Sequence, residues 1–194
     1  MSRFVDRLAE RLGGSPPGTP ATVPDAVAMR RAAVAAVVHD EPGGPRVLLM
    51  KRTERAGDPW SGHISLPGGG FHASDATLLA TAIRETHEEL GIELAGARLL
   101  GRLAPLHPRT SGPHGIEVTP FVFVAEAAPE PVCGPEARAA FWLPLDLAAS
   151  GALDGTYTYP NTQTSFPSWT YDGHVIWGLT WRILGDLLTA AHAR

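Results

Sequence analysis

Phe4, Val5, Leu8 and Leu12 recur at helical spacing, so the chain is predicted to open with a short amphipathic helix over residues 3–12. From Gly13 to Pro24 proline and glycine dominate and no period survives, which reads as a linker. Apolar strand-like runs follow at Ala32–His39 and Val47–Arg52, on either side of the turn Glu41-Pro42-Gly43-Gly44-Pro45. A short strand at Ile64–Leu66 is expected to deliver the chain to a glycine turn. A helix comes next, with Leu78, Leu79, Ala82, Ile83 and Leu90 as its buried side. Ser74 or Asp75 is its expected N-cap and Gly91 its left-handed stop. Further strands are predicted at Ala97–Leu103, Val118–Ala125 and Ala140–Leu143, with a short helical piece from Leu145. A last helix is predicted over Gly178–Ala191, where Leu179, Ile183, Leu184, Leu187 and Leu188 share one face. Strands and helices interleaved in this order fit an α/β/α sandwich. The chain thus divides into an N-terminal helix and linker, residues 1–28, and a domain over residues 29–194.

Composition supports one folded domain: 194 residues, 44% hydrophobic and 19% charged, suffice for a substantial core. A net charge of −4 offers no basic footprint for nucleic acid. No apolar run is long enough to span a membrane, and MSRFVDRLAERLGG is amphipathic rather than a secretory signal. Cys133 is the only cysteine, which excludes an intrachain disulfide and makes a reducing cytoplasm the expected setting. The lone thiol is expected to be buried.

The chemistry concentrates between Leu66 and Ile92. Glu85, Glu88 and Glu89 stand three and four residues apart, so one helix face gathers three carboxylates, with Arg84 as the firm cation of the segment. Like charges at that spacing destabilise a helix, and a bare acidic cluster is ordinarily a solvated face. Gly68, Gly69 and Gly70 lie just upstream, where backbone can approach a ligand closely. Clustered carboxylates beside turn carbonyls make the hard oxygen shell that Mg²⁺ or Mn²⁺ prefers. His87 points off the acid face, and Glu89 is expected to face solvent.

This stretch resembles the Nudix box. Arg84-Glu85-Thr86-His87-Glu88-Glu89-Leu90-Gly91-Ile92 follows its second half, with Thr86 in place of an apolar residue. In the first half, counting back from Arg84 aligns Gly70 but puts Ala76 at the acid position. Counting forward from Pro67-Gly68-Gly69 aligns Asp75 as the acid at the cost of one inserted residue, and this register is preferred. The resemblance implies a Nudix-type α/β/α sandwich with a mixed sheet and hydrolysis of a phosphoanhydride in a small nucleotide substrate, with Mg²⁺ or Mn²⁺ as cofactor. It implies Glu85 and Glu89 as metal ligands, Glu88 as a third ligand or a base, a carbonyl of Gly68–Gly69 as a further oxygen, and Arg84 as the group that orients Glu85 or Glu88. It involves neither nucleic acid nor membrane, and it admits a homodimer.

Upstream, Leu48-Leu49-Met50-Lys51-Arg52-Thr53, then Gly62 and Leu66-Pro67-Gly68-Gly69, resemble the additional signature of the coenzyme A pyrophosphatase branch. Leu66 stands for Phe and Thr53 for a smaller residue. The segment Asp172–Thr180 resembles the C-terminal end of that branch, and equally suits a core strand with a helix start. Lys51, Arg52 and Arg55 are candidate phosphate contacts, including the 3′-phosphate of coenzyme A. Trp60, Trp169 and Tyr171 could stack on adenine. The loop His107–Gly115 is a candidate substrate loop, and Glu117 a candidate extra carboxylate. Two other functions stay open: a Nudix hydrolase for ADP-ribose, a dinucleotide or an oxidised nucleoside triphosphate, and a nucleotide-sensing module without turnover.

Overall fold

A computed structural model describes residues 3–13, 29–55, 60–108, 115–160 and 163–192. In chain order it contains α1 (Arg3–Leu12), β1 (Arg30–Glu41), β2 (Gly44–Arg52), β3 (Ile64–Ser65), β4 (Gly68–Gly70) and α2 (Leu78–Leu90). Next come β5 (Arg98–Arg102), β6 (Ile116–Ala125), β7 (Ala137–Pro144), α3 (Leu145–Ala149), β8 (Asp154–Thr158), β9 (Ser165–Tyr171), β10 (His174–Trp177) and α4 (Gly178–His192).

β1 is the centre of the main sheet. It pairs parallel with β6 from Arg30↔Ile116 to His39↔Ala125, and antiparallel with β2 from Val38↔Val47 to Glu41↔Gly44. Its run is almost wholly apolar because both faces are covered. Ala33, Ala35 and Val37 join Leu48, Met50, Leu78, Ala82, Leu90, Phe121 and Phe123 under α2, whereas Ala36 and Val38 join Val47, Leu49, Val122, Ile183, Leu184 and Leu187 on the face of α4. The result is an α/β/α sandwich around a mixed sheet, as the interleaving of strands and helices predicts. Val5, Leu8 and Leu12 of α1 belong to the core on the α4 side, so the N-terminal helix is packed into the domain. The predicted linker lies outside the described residues except for Gly13.

β1 and β2 diverge beyond Val47, and the segment Ile64–Gly70 fills the gap. β3 pairs with β2 through Met50↔Ser65 and Lys51↔Ile64, then β4 pairs with β1 through Ala32↔Gly70, Ala33↔Gly69 and Val34↔Gly68. The expected glycine turn is therefore a strand, hydrogen-bonded to the central strand. Gly68 fits because its φ is 150° and a Cβ there would run into the Ala33 carbonyl and Val34. β8, β9 and β10 form a second, antiparallel sheet that leads into α4. The turn-rich composition of 150–173 conceals β8 and β9, since only alternate positions of a half-exposed sheet are apolar.

Candidate active site

The acidic helix is held at both ends. Thr77, rather than Ser74 or Asp75, is the N-cap of α2: its hydroxyl accepts from the Ala80 N–H at 3.1 Å. Gly91 closes the helix at φ 64°, its N–H bonding the His87 carbonyl at 2.8 Å. The carbonyls of Glu89 and Leu90 accept from the N–H groups of Gly134 and Val132, both at 2.8 Å, so an incoming loop satisfies the helix terminus. Engaging that loop by its backbone leaves Cys133 exposed, not buried as its solitude suggested. Thr86, where the motif has an apolar residue, is fully buried and donates its hydroxyl to the Ala82 carbonyl at 2.7 Å, which makes it tolerable in the core.

Asp75 is freed from capping to anchor Arg84. Its two oxygens accept from Arg84 Nε at 2.9 Å and Nη2 at 3.0 Å, and Oδ2 also accepts from the His72 N–H and the Thr81 hydroxyl. These bonds hold the Asp75 carboxyl well below the usual carboxylate range, with the Arg84 hydrogen bonds the largest cause, and keep Arg84 firmly protonated. Arg84 then turns Nη1 to the acids, donating to Glu85 Oε1 at 2.9 Å and Glu88 Oε2 at 3.0 Å. Arg84 thus links Asp75, ahead of the helix, to two of the helix acids.

Glu89 differs from the solvent-facing carboxylate expected from sequence. Its side chain is 2% exposed, beneath the glycine strand, and Oε2 accepts from the Gly68 N–H at 2.8 Å. Burial raises its pKa to about 7, with further raising from Glu85 and Glu136, against lowering by the Gly68 N–H and by Arg52. Arg52 Nη1 stands 3.8 Å from Glu89 Oε1, too far for a hydrogen bond but close enough for attraction. Glu85 lies directly under Gly69, where a Cβ would sit 2.5 Å from its carboxyl carbon. Glu88 remains 55% exposed, at the rim.

A dication fits this set. A buried carboxylate with one backbone N–H and a distant guanidinium is short of positive charge, and Glu85, Glu88 and Glu89 offer a cation only hard oxygens. Among the described residues no three acidic, histidine or cysteine side chains already converge as a complete cage. Glu85 and Glu89, one turn apart, are the nearest to one, with the Gly68–Gly69 backbone beside them.

The other predicted residues scatter. Lys51 shares a cross-strand pair with Ile64, on the opposite sheet face from Arg52. Arg55 is half-exposed and bonds Glu136 through Nη1 at 3.2 Å. Trp169 is 4% exposed and donates Nε1 to Asp154 at 3.0 Å, so it belongs to the core. Tyr171 lies in the ring group with Phe141, and Trp60 is partly exposed. Glu117 sits 3.9 Å from His107 Nε2. Most of the candidate substrate loop, residues 109–114, lies outside the described residues. The acid that the sequence did not disclose is Glu136, which follows the loop closing α2 and reaches Glu89 electrostatically. Its only local signal is its place just before an apolar strand, which singles out no function.

The comparisons with known proteins agree with this construction. The family model for the NUDIX domain matches residues 29–161. Relatives in Salmonella newport and Salmonella enteritidis, each called an uncharacterized Nudix hydrolase, NudL, are 32% identical over 163 residues, covering 81% of this chain and 81% of theirs. Among solved structures, the M. smegmatis Nudix hydrolase RenU aligns with TM-score 0.52 at 23% identity, over 63% of this chain and 74% of that one. A C. elegans Ap4A hydrolase aligns with TM-score 0.51 at 19% identity, over 62% and 84%, and at that identity shows the fold alone. The chain belongs to the Nudix family. It is a hydrolase acting on a nucleoside diphosphate derivative, in a family that generally uses divalent metals.

Proposed function

We propose that the enzyme hydrolyses the pyrophosphate bond of coenzyme A or its short acyl thioesters, with Mg²⁺ or Mn²⁺, giving 3′,5′-ADP and (acyl-)4′-phosphopantetheine. The observation that carries the reading is the approach of Arg52 Nη1 to Glu89 Oε1 at 3.8 Å. Arg52 closes the Leu48-Leu49-Met50-Lys51-Arg52 pattern, Glu89 belongs to the acidic helix, and Pro67-Gly68-Gly69 lies over that helix through the Gly68 N–H. Two separate sequence patterns thus meet at one pair of side chains.

When bound, the metal neutralises charge on the phosphate oxygens and makes water more acidic, which is what phosphoryl transfer chiefly requires. Glu85 and Glu89 would hold it, with Glu88 at the rim as a third ligand or a base. Arg84, tied to Asp75, holds the carboxylates of Glu85 and Glu88 in a set orientation. Burial disfavours the Glu89 charge on its own, and a dication beside it would favour the ionised carboxylate and be attracted strongly at 2% exposure. Arg52 faces the same space and can meet a phosphate oxygen, as can Arg55 if its pair with Glu136 opens. Water adds to one phosphorus, the bridging P–O bond breaks, and the second phosphate departs.

The test is product analysis. Coenzyme A incubated with enzyme and Mg²⁺ should yield 3′,5′-ADP and 4′-phosphopantetheine in equal amounts by mass spectrometry. Intact coenzyme A beside cleaved ADP-ribose, dinucleotide or oxidised nucleoside triphosphate would move the enzyme to another substrate.

A further inference from the structure

On the sheet face opposite Glu89, an open cleft is lined by Lys51, His63, Ile64, Tyr157, His174 and Trp177, among others. Its floor is built by three elements: the end of β2, the residues leading into β3, and the second sheet. Lys51 is only part-exposed, and among the described residues it has no carboxylate within ion-pairing distance. A lysine in the wall of a cleft with no carboxylate partner leaves its positive charge available to an anion. The His63 ring lies edge-on to Trp177 at 5.0 Å, and Tyr157 stacks on Trp177 at 4.3 Å. His174 is stacked on Phe141 at 4.4 Å. A cation without a carboxylate partner and braced aromatic rings in one cleft are the two halves of a site for a phosphorylated heterocycle.

We propose that this cleft binds a phosphorylated nucleoside, its phosphate monoester at Lys51 and His63 and its base against the Tyr157–Trp177 and His174 rings. The hydrolytic acids contribute nothing to it: Lys51 and Arg52 are consecutive on β2, so their side chains leave the strand on opposite faces. The same chemistry has two sources. It can be the nucleoside end of the substrate, in which case the inference rests on coenzyme A as substrate, or a free nucleotide that acts from outside the hydrolytic site.

The probe is 3′,5′-ADP added to the full chain in EDTA, with 5′-AMP as the control lacking the 3′-phosphate, read by tryptophan fluorescence and by calorimetry. Saturable binding is expected, weakened about ten- to a hundredfold by Lys51→Gln, the range of one charge-assisted contact. The fluorescence change should vanish in Trp177→Phe. Because that ring also packs on Tyr157 and Phe166, Lys51→Gln is the decisive variant should Trp177→Phe not fold. Unchanged affinity in Lys51→Gln, or no binding at all, overturns the proposal. Inhibition of metal-loaded turnover by 3′,5′-ADP then separates the sources: competitive inhibition weakened by Lys51→Gln assigns the cleft to the substrate's own nucleoside, and non-competitive inhibition weakened by Lys51→Gln assigns it to a free nucleotide. If coenzyme A is preferred over dephospho-coenzyme A equally in wild type and Lys51→Gln, the substrate holds and the cleft does not carry its 3′-phosphate. If coenzyme A is not cleaved while 3′,5′-ADP still binds through Lys51, the substrate fails and the cleft stands.

Discussion

Arg84 and Asp75 form a two-point pair, Nε to Oδ1 at 2.9 Å and Nη2 to Oδ2 at 3.0 Å, with the Asp75 side chain 5% exposed. The pair lies outside the carboxylate cluster yet governs it, because the remaining Arg84 nitrogen is the one that bonds Glu85 and Glu88. Asp75→Asn should cost about 2–3 kcal/mol, since it removes one charge of a nearly buried pair and leaves the guanidinium under-compensated. It should also lower kcat while affecting KM little, as Glu85 and Glu88 lose a fixed orientation. Urea denaturation and steady-state kinetics check both. A variant as stable and active as wild type contradicts the anchoring role.

Glu89→Gln should fold, because an amide oxygen can still accept from the Gly68 N–H and a buried charge is removed. Turnover at saturating Mg²⁺ should fall by about a hundredfold or more, through loss of a ligand charge. Near-normal kcat would sink the metal-ligand assignment.

Stability in EDTA should depend on pH through the same residue. Glu89 in the fold titrates at about 7 against 4.5 for an ordinary glutamate, so between those values the native state keeps a proton that the unfolded chain has lost. Native stability therefore falls as pH rises from 4.5 to 7, by up to roughly 3 kcal/mol at about 1.36 kcal/mol per pH unit. Asp75, shifted the other way, loses its contribution only below its ordinary value of 3.8, outside this window. Melting curves of wild type minus Glu89→Gln should show the slope, and added Mn²⁺ should abolish it by favouring the ionised carboxylate. Parallel curves for the two proteins would remove Glu89 as the source.

Thr86→Val probes the departure from the motif. The Thr86 hydroxyl bonds a carbonyl of its own helix, and a valine of nearly the same shape fills the site without leaving an unpaired donor. Stability should change by less than about 1 kcal/mol and activity should persist. A loss of several kcal/mol would show that the hydroxyl does more than satisfy itself.

Much of the fold was legible because its apolar runs report two-sided burial: β1, β2 and β6 announce themselves by composition, α2 and α4 by spacing. Gly68–Gly70 misled, since glycine carries no side chain to declare a strand, and the close approach to Ala33 and Val34 that demands it is a tertiary fact. The N-cap passed to Thr77 because Asp75 is recruited by Arg84, nine residues on, a competition invisible in local propensity. The acids of α2 were legible as a cluster, but not their inequality. Burial of Glu89 and exposure of Glu88 depend on which side of the helix meets β4. Glu136 enters through the loop that caps α2, and Lys51 parts from Arg52 because strand neighbours face opposite ways.

The substrate is decided by kcat/KM for coenzyme A, dephospho-coenzyme A and ADP-ribose, measured under one set of conditions with Mg²⁺ and again with Mn²⁺. Coenzyme A should exceed ADP-ribose, and should exceed dephospho-coenzyme A by about ten- to a hundredfold, the worth of one charge-assisted phosphate contact. ADP-ribose cleaved faster than both would rule out coenzyme A as the preferred substrate.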